Sequence, residues 1–303
     1  MAAERDRDLT GKVVVLTGAS SGFGKGAARK FAQRGASLVL AARRDELLDE
    51  LRSECESVGA QAVAVPTDVS IRKDVEKLAE EAVSRFGRVD VWVNNAGAGA
   101  QGRFEDIPLE IHEQVIGTTL LGALYGSWCA MRQFRRQGAG TLINIASIAG
   151  KLPHAYYSSY VAAKHGVVGL SAVLRQELDE NDIEEIHVCT VMPGAHDTPF
   201  FQHEANYSGH EVVPPPPVYD PEKVVNVIVR LATDPEDEVV VGRVPKLMAL
   251  GHNLMPGLTE KMMGKEAHKT VQQAPPAEST EGSLPEPVPV GTEVRGGWKG
   301  RGD

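Results

Sequence analysis

Tyr160 and Lys164 stand four residues apart in the run Tyr-Val-Ala-Ala-Lys, a spacing that puts both side chains on one face if the segment is helical. A free phenol titrates near about 10, too high for ready proton exchange at neutral pH. A cation beside it favours the phenolate and lowers that value, so the pair has the makings of a general acid–base centre. Ser147 lies thirteen residues upstream, just past the apolar run Leu142–Ile145. A hydroxyl there can bond a substrate oxygen and stabilise negative charge developing on it. Tyr-x-x-x-Lys alone is a common accident of exposed helices, so the weight falls on what accompanies it.

A second constellation is Thr17-Gly18-Ala19-Ser20-Ser21-Gly22-Phe23-Gly24, which follows the first apolar run and opens a helical stretch. Glycines permit a tight turn and let a pyrophosphate approach backbone N–H groups at the positive end of a helix. Gly18, Ser20, Ser21, Gly22, Phe23 and Gly24 are therefore candidates for holding a dinucleotide. Residues 19–26 nearly fit the triphosphate pattern G-x-x-x-x-G-K-[ST], but the first glycine is Ala19 and the magnesium-binding hydroxyl is Gly26. The kinase or NTPase reading fails on that missing ligand. At the end of the second apolar run stand Arg43 and Arg44, whose guanidiniums suit the 2′-phosphate of NADP better than the bare ribose of NAD. Asp45, the contrary signal, reads as a cap on the next helix.

The elements that must position these groups alternate regularly. Apolar runs Val13–Leu16, Leu38–Ala41, Ala62–Val65, Val89–Val93, Leu142–Ile145, His187–Met192 and Val239–Val241 are short, continuous and rich in Val and Ile, as strands buried on both faces should be. Between them, helical spacing covers Gly24–Arg34, Asp45–Val58, Asp74–Phe86, Leu109–Gln137, Tyr157–Glu180 and Pro221–Thr233. Such alternation predicts a doubly wound α/β domain of Rossmann type, a parallel sheet with helices on both faces. We expect it to occupy residues 1–245. An amphipathic extension over 246–271 and a disordered Pro/Gly-rich tail over 272–303 should follow.

In sum these motifs resemble the short-chain dehydrogenase/reductase family, in its NADP-preferring branch of ordinary length, over roughly residues 9 to 245. Thr17–Gly24 is similar to the family's TGxxxGxG turn. Asp68-Val69 resembles its adenine-contacting step after strand three, and Asn94-Asn95-Ala96-Gly97 its NNAG segment, with Asn95, Ala96 and Gly97 near the adenosine ribose. Pro193-Gly194 with Thr198 resembles the turn that contacts the nicotinamide carboxamide, and Ser147, Tyr160 and Lys164 match the catalytic trio. The resemblance implies transfer of the 4-pro-S hydride between NADP(H) and a small-molecule carbonyl or alcohol, and Lys164 also bonding the nicotinamide ribose. It also implies a homodimer or homotetramer built on the helices at 109–137 and 157–180. One departure stands out: Thr119 occupies the place of the family's mid-helix asparagine, whose backbone helps hold a proton-relay water. A threonine can still offer its carbonyl there if the helix is locally distorted. The alternative function is a catalytically weak NADP(H)-binding redox sensor or interaction module.

Other features bound the reading. A formal charge of −9 argues against a nucleic-acid partner, since that affinity rests on clustered Lys and Arg. Cys55, Cys129 and Cys189 form no framework and fit a reducing compartment. With no signal or transmembrane run visible, the expected location is cytoplasmic. His196, His203 and His210 recur every seven residues but lack a short metal-ligand pair, so no metal site is expected. Residues Pro199 to Val218 are expected to form a mobile lid over the nicotinamide. The terminal Arg301-Gly302-Asp303 reads as coincidence.

Overall fold

The computed structural model describes residues 9–298, so the terminal tripeptide lies outside the described residues. Its first half runs β1 (Val13–Thr17), α1 (Gly22–Gln33), β2 (Ser37–Ala42), α2 (Asp45–Ser57), β3 (Ala62–Pro66), α3 (Arg72–Phe86), β4 (Val91–Asn94) and β5 (Ala100–Gln101). Then come α4 (Leu109–Ile116), a π-helical turn at Gly117–Leu121, α5 (Gly122–Gln137), β6 (Gly140–Ile145), α6 (Ser158–Asp179) and β7 (Ile186–Pro193). The chain continues through α7 (Phe200–His203), β8 (Ala205–Asn206), α8 (Glu222–Leu231), β9 (Glu238–Val241), α9 (Arg243–Leu254) and α10 (Pro256–Gln273).

Seven parallel strands form one sheet in the order β3-β2-β1-β4-β6-β7-β9. The order reverses between β1 and β4, which opens a crevice at their carboxyl ends. The seven expected strands are all present. They form because their Val, Leu and Ile side chains can be buried on both faces: all five residues of β1 are buried. One face packs Phe31 of α1, Leu48 and Leu51 of α2 and Ile228 of α8 over Leu38 and Leu40. The opposite face packs Leu78 of α3, Phe134 of α5 and Leu178 of α6 around Trp92 and Leu142.

A buried polar network ties this second layer to the site. Asn94 Nδ2 donates to Asn144 Oδ1 (2.8 Å) and to the Ala123 carbonyl (3.1 Å), Trp92 Nε1 donates to Asn94 Oδ1 (2.8 Å), and Asn144 Nδ2 donates to Ser171 Oγ (2.9 Å). The two amides fix the ends of β4 and β6 against α5 and α6. A satisfied network of this kind specifies one arrangement of its neighbours.

Two expectations need correction. The helix expected over 109–137 is two, separated by the π turn, where Gly122 N–H donates to the Gly117 carbonyl. Gly122 sits so close to Val69 that a β-carbon there would stand 2.8 Å from a Val69 methyl. The tail expected to be disordered lies against the domain as far as Trp298. Its composition is poor in apolar residues, as the expectation held, yet backbone groups fix it. Asn206 and Thr280 exchange N–H···O=C bonds of 2.7 and 2.9 Å, Gly22 N–H donates to the Glu293 carbonyl (2.9 Å), and Leu284 is buried with Ala100, Ile107 and Ala205. The segment Pro199–Val218 carries α7 and β8, and Ala205 N–H donates to the Gly99 carbonyl (3.0 Å). The extension folds as α9 and α10, of which Ala267 and Val271 are buried while Leu247, Leu254 and Met262 are exposed.

Candidate active site

The turn after β1 is shaped by steric necessity. Gly18 and Gly22 adopt φ of +66° and +54°, a region that disfavours residues bearing a β-carbon. A β-carbon on Gly24 would lie 2.1 Å from the Gly18 carbonyl oxygen, and one on Gly18 would lie 2.8 Å from Asn95 Nδ2. Asn95 Nδ2 in turn donates to the carbonyls of Thr17 (2.9 Å) and Gly18 (3.1 Å), and Thr17 Oγ1 accepts from the N–H groups of Asn95 and Ala96. The ends of β1 and β4 are thereby laced together around a shallow cradle that ends at the N-terminus of α1. These features fit a dinucleotide pyrophosphate.

One cleft of about 300 Å³ gathers nearly every candidate. Gly18, Ser20, Ser21, Gly22 and Phe23 line it beside Arg43, Arg44, Asp68, Val69, Asn95, Ala96 and Gly97, and Ser147, Tyr160, Lys164, Pro193, Gly194 and Thr198 line its other end. Two candidates do not reach it. Gly24 supports the turn from beneath. Thr119 is buried below the cleft, where its hydroxyl donates to the Ala98 carbonyl and accepts from the Ala98 N–H, both at 2.9 Å.

Both arginines after β2 meet the tail, to different extents. Arg44 donates to Ser20 Oγ and Ser21 Oγ, each at 3.0 Å from Nη2, and its Nη1 donates to the tail carbonyl of Val290 at 3.4 Å. Arg43 donates to the tail carbonyls of Leu284 (2.9 Å) and Ser283. Asp68 Oδ1 accepts from the backbone and the hydroxyl of Ser70, so its carboxylate shapes its own turn. Lys25 Nζ, 7% exposed in α1, donates to the Thr292 carbonyl at 3.0 Å. The tail thus forms part of the cleft wall through Ser283, Pro287 and Val288. Nothing in the composition of residues 275–298 pointed to that role.

At the other end Lys164 Nζ donates to the Ile145 carbonyl (2.7 Å) and lies 5.7 Å from the centre of the Tyr160 ring. Ser147 projects from the loop after β6, its Oγ accepting from the Ala149 N–H (3.1 Å). Burial acts on the pair against the expectation drawn from spacing. It pushes the Tyr160 phenol up, with the Ser147 hydroxyl pulling the other way and Glu204 adding to the rise. It lowers Lys164 to about 7. Removing both groups from water costs more than the distant cation returns.

One lining group, Glu204, escaped the sequence reading. Glu204 is buried, and its Oε2 lies 3.0 Å from Tyr157 Oη, which is also 3.0 Å from Gln101 Oε1. Burial pushes this carboxyl up to about 8, against a lowering by the Tyr157 hydrogen bond. A single Glu in a loop carries no signal of its own; only β8 pairing with β5 brings it under the cleft. Phe200 packs on Tyr160 with ring centres 5.4 Å apart. The three spaced histidines do not converge: His196 Nδ1, His203 Nε2 and His210 Nδ1 bond the separate carbonyls of Gly194, Val290 and Ala274.

A doubly wound parallel sheet with a glycine-rich turn and a Ser–Tyr–Lys grouping at its carboxyl edge defines a dinucleotide-dependent oxidoreductase. The profile of the short chain dehydrogenases matches residues 12–207. Uncharacterized oxidoreductase YxnA of Bacillus subtilis (strain 168) is 34% identical over 296 residues, 97% of this chain and 83% of that protein. 3beta-hydroxysteroid dehydrogenase 1 of Eggerthella lenta is 35% identical across 75% of this chain and 88% of its own length. A short-chain dehydrogenase/reductase from Burkholderia phymatum, solved in complex with NAD, superposes with a TM-score of 0.76 at 26% identity, covering 83% of this chain and 96% of that one. The chain belongs to the short-chain dehydrogenase/reductase family and is an NAD(P)-dependent enzyme acting on CH–OH groups.

Proposed function

We propose that the enzyme interconverts a carbonyl and an alcohol using NADP(H), with Ser147, Tyr160 and Lys164 as its acid–base site. The observation that carries the reading is that these three side chains open into the same cleft as the glycine-rich turn. When bound, the nicotinamide supplies or accepts the hydride. In reduction Ser147 bonds the substrate oxygen and Tyr160 gives it a proton; in oxidation Tyr160 takes that proton back. Lys164 orients the ribose and biases the Tyr160 proton. Arg44 with Ser20 and Ser21 supports NADP over NAD. Phe200, Phe201, Tyr157 and His154 line the substrate end and favour a carbonyl compound with an apolar body. Exposed Leu121, Leu124, Trp128 and Val173 support a homodimer through the π turn, α5 and α6.

The test is nicotinamide absorbance with NADPH or NADH and a panel of ketones, aldehydes, quinones and acyl-carrier substrates. Substrate-dependent NADPH loss should vanish in Tyr160→Phe, with NADPH binding retained; retained turnover in that variant overturns the assignment. The tail carbonyls on Gly22 and Arg43 favour, as a second reading, a catalytically weak NADP(H)-binding redox sensor. Tight NADPH binding without turnover on any panel member would speak for it.

A further inference from the structure

Between residues 244 and 262 the chain exposes Val244, Leu247, Leu250, Leu254, Met255, Leu258 and Met262. Leu247 and Leu254 are 69% and 73% exposed, values ordinary for lysine and costly for leucine in water. Scattered single apolar residues need no explanation, but here seven are exposed in one short stretch, six of them on two consecutive helices, a concentration that marks an interaction face. Leu247, Leu250 and Leu254 recur at three- and four-residue spacing on α9, and Leu258 and Met262 do so on α10.

Charge narrows what covers this face. The helices carry Arg243, Lys246, Lys261, Lys265 and Lys269 against only Glu260 and Glu266, in a chain of formal charge −9. Lys265 follows Met262 by three residues and Lys269 follows by seven, so the basic groups continue the apolar stripe along α10. A symmetric dimer through this patch would set the basic face against its own copy. Leucines flanked by lysines are instead the composition of helices that lie in the interface of an anionic bilayer. Among the described residues no helix is long and apolar enough to cross a membrane.

We propose that α9 and the first turns of α10 dock on the surface of an anionic phospholipid bilayer. The leucines and methionines enter the headgroup region and the lysines meet the phosphates. The far end of α10 reaches the substrate side of the enzyme: His268 Nδ1 lies 2.6 Å from Tyr156 Oη, and Tyr157 next to it lines the cleft.

The experiment is flotation of the full chain with vesicles of phosphatidylcholine alone or mixed with phosphatidylglycerol. The chain should float with the mixed vesicles and not with phosphatidylcholine alone, and raised salt should weaken the binding. Leu247→Ser/Leu254→Ser/Leu258→Ser and, separately, Lys261→Glu/Lys265→Glu should each reduce it at least about tenfold, roughly the loss of one buried leucine. These side chains are exposed, so unchanged melting temperatures will show that the variants fold. Failure to float with anionic vesicles overturns the proposal, as does binding that both variants leave intact. A wild-type dimer that ignores vesicles and becomes monomeric in the leucine variant would assign the face to a second copy instead.

Discussion

Tyr157 Oη lies 3.0 Å from Glu204 Oε2 and 3.0 Å from Gln101 Oε1, and it has one proton to give. The Gln101 amide nitrogen is committed to Ser208 Oγ at 2.9 Å, so the amide oxygen faces Tyr157. Both contacts are satisfied only when Glu204 is a neutral acid donating to the phenol. Its burial against Gly99, Phe200 and the β5–β8 pair accounts for that state.

The pH dependence of stability follows. The Glu204 carboxyl is held at about 8 in the folded chain against an ordinary 4.5. The folded state therefore binds the proton more tightly, and this contribution is fully present below pH 4.5 and lost as the pH rises toward 8. Tyr157 and Tyr160 are the titratable groups it acts on, and burial raises both phenols, so neither ionises in that window. Glu204→Gln should remove the effect, with a slope difference of at most about 1.4 kcal/mol per pH unit. Chemical denaturation of both proteins between pH 5 and pH 8 checks it; parallel curves would show that Glu204 is ionised in the fold.

Cofactor choice should respond to Arg44 more than to Arg43. Arg44 sits over Ser20 and Ser21 with one long bond to the tail at Val290, whereas the guanidinium of Arg43 is held by two tail carbonyls. Hydrogen bonds to charged groups contribute about 1.5–3 kcal/mol. Arg44→Ala should therefore lower kcat/KM with NADPH about 10- to 100-fold and leave NADH nearly unchanged. Steady-state kinetics with both cofactors reads the outcome, and an equal loss with each would place the 2′-phosphate elsewhere.

Thr119 is expected to position Ala98 and, through it, the floor of the cleft. Its hydroxyl makes two bonds to Ala98, which valine cannot make and serine can. Thr119→Val should lose about 1–3 kcal/mol of stability and lower kcat more than KM, with Thr119→Ser restoring both. If turnover rises strongly in Thr119→Asn, the native proton relay is impaired.

The tail should stabilise the domain through Lys25. Its buried ammonium bonds the Thr292 carbonyl and lies 3.4 Å from Glu293 Oε1. Deleting residues 275–303 removes both partners and uncovers the ammonium to water, so the loss is that of the tail's own contacts, about 0.5–1.5 kcal/mol for each hydrogen bond. The deletion should lower the melting temperature, and Lys25→Met in the full chain should lower it by a smaller amount. A melting temperature indifferent to the tail would show that these contacts carry no stability.

The sequence by itself determined the layered fold and the pair of motifs at its carboxyl edge. Strands buried on both faces demand unbroken Val, Ile and Leu, and a glycine-rich turn admits no β-carbon, so both constraints are written in residue type. The tertiary structure alone decided what lies between and over those motifs. The π turn at Gly117–Leu121 closes where Gly122 packs against Val69, and Glu204 reaches the cleft where β8 pairs with β5. The tail depends on backbone carbonyls meeting Arg43, Arg44 and Lys25. The tail bonds to Arg43, Arg44 and Lys25 link residues up to 267 positions apart and use main-chain carbonyls that every residue shares, so no local pattern of side chains encodes them. The balance of charge at Tyr160 and Lys164 belongs to the same class: spacing put them on one helix face, and burial set which way their protons lean.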